Sequence, residues 1–112
     1  QILHDVGKES SEKIKMGVVD VERDISRIRL VDADIVINTS CEHMTNIENI
    51  RVKTQTAVYA FQSCDEETDP GHVNIARTTD EFVDQCQFST VLMRGRLNLG
   101  HKNRFMVIGL KQ

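Results

Sequence analysis

A chain of 112 residues holds one domain with a single core and little stability in reserve. Charged residues at 28% and hydrophobic residues at 39% exclude a disordered composition, and a formal net charge of −3 argues against unaided binding to nucleic acid. Three cysteines without close spacing exclude a disulfide framework and point to a reducing, cytosolic setting, and no apolar run approaches the roughly 18–20 residues of a membrane span. With no Trp, one Tyr and four Phe, the core is expected to rest on Ile, Val, Leu and Met.

In chain order, residues 1–15 are polar, and Met16 to Val21 reads as a short buried strand. Glu22 to Leu30 sets Ile25 and Ile28 on one side of a short helix or turn. Ala33-Asp-Ile-Val-Ile-Asn38 has an unbroken apolar centre and a polar end, the pattern of a central parallel strand buried on both faces. Thr45 to Lys53 has the length of a helical crossover to a second such strand, Thr56 to Phe61, which Gln62 and Ser63 close.

Residues 64–71 form an acidic loop around the only Pro, and such a run is ordinarily solvated. Thr78-Thr-Asp-Glu81 is a capping box that predicts a helix over 79–87, with Phe82, Val83 and Cys86 as its apolar positions. Thr90 to Leu97 and Arg104 to Leu110 are strand-like, and Asn98 to Asn103, with Gly100, predicts a hairpin between them. Arg94, Arg96, His101, Lys102, Arg104 and Lys111 then decorate a solvated hairpin rather than a phosphate-binding surface. Strands alternating with helices and ending in a hairpin give an α/β domain over residues 1–112, with a largely parallel sheet.

The segment Asp34-Ile-Val-Ile-Asn-Thr-Ser-Cys-Glu-His-Met44 resembles part of a class I methyltransferase-like family, dependent on S-adenosylmethionine and associated with phages and bacteria. Gln62-Ser63, His72-Val-Asn74, Glu81-Phe82, Gly95-x-Leu97-x-Leu99 and Arg104-Phe-Met-x-Ile-Gly109 follow in the family's order, so the resemblance covers residues 33–111. It implies a truncated, Rossmann-like α/β half-domain whose mainly parallel sheet ends in an antiparallel hairpin. The family's Gly-x-Gly cofactor loop has no counterpart within these 112 residues, since Gly7 and Gly17 stand alone.

Ligands of open α/β sheets sit beyond the carboxyl ends of the parallel strands, where Asn38 to His43 falls. The resemblance implies a catalytic role for Asn38, whose carboxamide oxygen would orient a target amino group. Glu42 would be a general base, with His43 sharing that role. Asp20, Asn38 and Thr39 are the positions it assigns to S-adenosylmethionine. The competing reading is that Asn38, Thr39 and Ser40 satisfy backbone groups at a strand end. Cys41, His43, Cys64 and His72 match no recognised zinc spacing, so no metal site is assigned.

Without its glycine loop, the expected protein is a methyltransferase-like module lacking independent catalysis, a structural or interaction component of an assembly. The alternative is an S-adenosylmethionine-dependent methyltransferase whose cofactor site another segment or chain completes. The apolar strand 33–38, with only residues 16–21 to protect one side, predicts a homo-oligomer or larger assembly joined through residues 1–37. A cytoplasmic location, in a phage virion or an infected host cell, follows from the resemblance.

Overall fold

The computed structural model describes residues 16–18 and 27–112. Among the described residues four strands form one mixed sheet: β1 (Ile35–Asn38), β2 (Val58–Cys64), β3 (Thr90–Asn98) and β4 (Asn103–Leu110), in the order β1-β2-β4-β3. The helix α1 (Thr79–Cys86) precedes β3. β1 runs parallel to β2 with Ile35 beside Val58 and Asn38 beside Phe61, as the apolar runs predict. The β3–β4 hairpin lies beyond β2, also as predicted, with β4 antiparallel to both neighbours. The expected largely parallel sheet is corrected in proportion, because two of the three pairings among the described strands are antiparallel. The hairpin inserts β4 rather than a further crossover strand next to β2.

Local chemistry accounts for these elements. The Thr78 hydroxyl accepts the Glu81 N–H at 3.1 Å, and Asp80 and Glu81 sit in the first turn of α1, where the helix dipole favours acids. Gln87, in the left-handed region at φ 52°, ends the helix. In the hairpin turn Gly100 has φ +90°, and the Asn98 carboxamide oxygen accepts its N–H at 2.8 Å. The crossover between β1 and β2 contains two 3-10 turns, Cys41–His43 and Ile47–Asn49, and not the expected helix. Asn46 adopts a left-handed backbone (φ 60°), which stops a helix from starting at Thr45. Ile47 and Ile50, three apart, are both buried, a spacing that the tighter 3-10 turn brings onto one side.

One face of the sheet carries the core. Tyr59 and Phe61 of β2 and Phe105 and Val107 of β4 point to it, with Gly109, and are covered by Phe82 and Cys86 of α1, Ile47, Ile50, Cys41, Ala57, Ala76 and Ile28. Aromatics therefore dominate, contrary to the expected aliphatic core. Four of them are fully buried, and the fifth, Phe88, packs its ring 5.3 Å from that of Phe61. A Cβ on Gly109 would lie 2.4 Å from Phe88 Cδ2 and 2.5 Å from the Thr90 carbonyl, so only glycine lets Phe88 lie over β4.

Among the described residues, the opposite face is left uncovered. Ile35 and Ile37 are 63% and 70% exposed, and Val58, Ala60, Met106, Ile108 and Leu110 are half-buried beside them. Burial of β1 on both faces is thus corrected: β1 is an edge strand of the described sheet, and only Val36 and Asn38 turn toward the core side. The strand predicted at 16–21 lies mostly outside the described residues, and its first three, 16–18, are exposed and irregular. Among the described residues no helix is long and apolar enough to cross a membrane.

Candidate functional site

The carboxyl ends of the parallel pair β1 and β2 gather the residues that the resemblance singled out. β1 ends at Asn38, and its carboxamide oxygen accepts the Ser40 N–H at 2.9 Å while the amide nitrogen lies 3.4 Å from Met44 Sδ. This is an Asx turn that swings the chain into the first 3-10 turn. The carboxamide oxygen is thereby occupied by backbone, and the residue is 9% exposed. Thr39 is exposed, and its carbonyl accepts Arg104 Nη2 at 2.8 Å. Asp20 lies outside the described residues.

Glu42 is buried, its side chain 5% exposed, and it pairs with Arg104 Nη1 at 2.5 Å through Oε2. Arg104, the second residue of β4, also reaches Gln62 Oε1 at 3.4 Å, so one guanidinium ties the ends of β1, β2 and β4 together. The other carboxylate oxygen, Glu42 Oε1, is buried without a hydrogen-bond partner. The backbone carbonyl of Glu42 accepts both the Val73 and Asn74 N–H groups, at 2.9 and 3.0 Å. Two segments of the resemblance, 34–44 and 72–74, are therefore joined in space.

His43 is exposed, with Nδ1 2.9 Å from the Gly71 carbonyl and its ring 4.6 Å from that of His72 in an edge-on contact. His72 turns inward. Its Nδ1 donates to the Glu66 carbonyl at 2.6 Å, its Nε2 lies 3.5 Å from Asp69 Oδ2, and Cys64 Sγ is 3.8 Å from Nδ1. Glu42, Cys64 and His72 offer ligand atoms that all lie within 4.8 Å of one another. Burial raises the Cys64 thiol above its ordinary pKa; the Glu66 backbone and Arg104 pull it down, and the Glu42 carboxylate beside it pushes it further up. A neutral thiol is a poor nucleophile, so the Cys64–His72 contact is not that of an activated cysteine. Cys41 and Cys86 are raised by burial in the same way, Cys86 to about 12.

The structure thus brings Asn38, Glu42 and His43 to one sheet end but turns them apart: the first is spent on a turn, the second on Arg104, the third on a loop carbonyl. Sequence reasoning missed Arg104, which it placed in a solvated basic cluster. Lys111 of the same cluster is also corrected. It is 6% exposed, donates to the Glu48 and Ile50 carbonyls at 2.8 and 2.6 Å, and lies over the Tyr59 ring at 5.1 Å. Burial depresses its pKa to about 8.

The acidic loop is likewise more tied down than a solvated run. Asp65 accepts the backbone and side-chain N–H groups of Asn103, both at 2.8 Å, which hold its carboxyl below the ordinary range; Glu66 and Glu67 pair with Lys102 and Arg77. Two clefts, one beside Arg77, Asp80, Arg94 and Arg96 and one beside Arg51, Tyr59 and Lys111, contain none of Asn38, Thr39, Glu42 or His43. Comparison of the chain with protein-family models, curated proteins and solved structures finds no match.

Proposed function

We propose that this chain is a class I methyltransferase-like, Rossmann-like α/β module without independent catalysis, and that it serves as a structural or interaction component of an assembly. The observation that carries the reading is the open apolar sheet face: Ile35 and Ile37 stand exposed beside Val58, Ala60, Met106, Ile108 and Leu110. A contiguous apolar surface of this kind is costly in water and is ordinarily covered by another surface. The residue expected to orient a methyl acceptor, Asn38, supports the non-catalytic side, because its carboxamide oxygen is engaged by Ser40.

Light scattering of the purified chain at micromolar concentration tests the assembly. An oligomer that Ile37→Asp dissociates, with the far-ultraviolet circular dichroism unchanged, is the expected result. A wild-type monomer whose thermal stability is untouched by Ile37→Asp would sink the reading. Calorimetry with S-adenosylmethionine separates the alternative, a methyltransferase completed by another segment or chain. Little or no binding is expected, and micromolar binding that Asn38→Ala abolishes in a still-folded chain would favour the enzyme.

A further inference from the structure

We propose that Glu42, Cys64 and His72 hold one divalent cation of the zinc class. The three side chains come from three different segments: the first 3-10 turn, the last residue of β2, and the loop that follows it. One carboxylate oxygen, one thiolate sulfur and one imidazole nitrogen form a set suited to a borderline cation and unlike the all-oxygen sets of calcium and magnesium. Their potential ligand atoms lie within 4.8 Å of one another. Around a tetrahedral zinc, ligand atoms sit about 3.3–3.7 Å apart. The Cys64 Sγ to His72 Nδ1 distance, 3.8 Å, is already near that spacing.

An independent observation points to a ligand at the same place. Glu42 is one of the most buried charged residues of the described chain, and it divides its two oxygens unequally. Oε2 takes the Arg104 guanidinium, whereas Oε1 is buried without a hydrogen-bond partner, with the Cys64 thiol beside the carboxylate. Leaving a buried carboxylate oxygen unmatched is expensive, and a cation is the partner that its charge best accommodates. Arg104 on Oε2 then acts as the outer contact that orients the ligating carboxylate. On binding, His72 Nδ1, the nitrogen beside the thiol, would give up its proton and the Glu66 carbonyl for the ion, and the ring would then be held by Nε2–H toward Asp69 Oδ2, 3.5 Å away.

The set differs from the one that sequence spacing offered. Cys41 directs its thiol to the Asn38 carbonyl at 3.7 Å, and His43 faces the Gly71 carbonyl, so neither belongs to the cluster. Glu42 takes their place. With three protein ligands, the fourth position falls to water, as in open zinc sites. Glu42 and the Cys64 thiolate bring two negative charges to the ion, the first of them shared with Arg104, and the loop 65–73 becomes anchored to the ends of β1 and β2. This inference does not depend on the assembly reading, since it concerns the sheet end rather than the sheet face.

The test uses the full chain, stripped with a chelator and titrated with cobalt(II) and then zinc. One ion per chain is expected, with a thiolate-to-cobalt charge-transfer band in the near ultraviolet. X-ray absorption at the zinc edge should give one sulfur at about 2.3 Å and nitrogen or oxygen ligands at about 2.0–2.2 Å. Cys64→Ser should remove the cobalt band and weaken zinc binding by at least about a hundredfold, with about tenfold or more for Glu42→Gln and His72→Asn. Cys41→Ala should leave the band in place. No binding at micromolar zinc, a zinc shell with no sulfur or with two, or a band that survives Cys64→Ser would overturn the proposal. The absorption measurement needs no variant, so it decides the matter even where a substitution prevents folding.

Discussion

Both faces of the sheet carry apolar positions, yet they behave as different materials. On the packed face Tyr59, Phe61, Phe105 and Val107 are at most 1% exposed, enclosed by α1 and the two 3-10 turns. On the open face the aliphatics of β1 are more than half exposed and those of β2 and β4 only half-buried. Hydrophobic residues alone therefore do not make a core. A core forms where a covering element supplies the second surface, and here the aromatic side chains cluster where that cover exists.

The largest expected effect lies on the packed face. Phe61→Ala should destabilise the chain by about 3–5 kcal/mol, because the enclosing side chains cannot collapse into the space. Ile37→Ala, on the open face, should change monomer stability by less than about 0.5 kcal/mol. Urea denaturation of both variants at a concentration below assembly measures the contrast, and equal losses would erase the distinction between the faces. Gly109→Ala should come next, at about 1–3 kcal/mol, since its new methyl meets the Phe88 ring and the Thr90 carbonyl. A double variant that also shortens Phe88 to Leu should recover part of that loss, which would locate the strain on the packed side.

The smallest effect is one of pH. Lys111 has a folded pKa of about 8 against an ordinary 10.5, so the unfolded chain binds the proton more tightly. Between those two values stability should therefore rise with pH as the folded state sheds a buried charge. Below about pH 8 the cost of burying that charge is fully present. Thermal melts of the wild-type chain and of Lys111→Met across pH 7–10 should differ in slope, the variant lacking this rise. Parallel slopes would mean that the ammonium retains its ordinary affinity for protons above the aromatic rings.

Much of the fold was legible because its signals are local. The Thr78 cap, the Asn98–Gly100 turn and the apolar runs of β1, β2 and β4 each announce an element within a few residues. Coverage is not local. Ile35-Val-Ile37 reads as a strand buried on both sides, but nothing in the run states whether another element reaches its outer face. The crossover misled for a related reason, since the left-handed Asn46 interrupts an otherwise acceptable helical stretch.

The site was legible at its strand end and not beyond. Asn38 and Glu42 stood out because they follow a parallel strand. Arg104 did not, because its partners Glu42, Gln62 and Thr39 arrive from distant parts of the chain. Basic residues in a hairpin read as solvent-facing, and it is the antiparallel register, which sets Arg104 beside Cys64, that brings its guanidinium to the sheet end. The Glu42–Cys64–His72 cluster likewise depends on the loop folding back over the sheet end, which no spacing rule encodes.

Tyr59 has a consequence for how this molecule can be watched. It is the only tyrosine in a sequence without tryptophan, so emission excited to the red of the phenylalanine band comes from one ring. That ring is 1% exposed, its hydroxyl accepts the Val52 N–H at 2.9 Å, and its neighbours are Phe61, Phe88 and the Lys111 ammonium. The emission therefore originates at the junction of sheet, crossover and carboxyl terminus. A single native fluorophore reports there, without any added label, on whether the packed side of the molecule is intact.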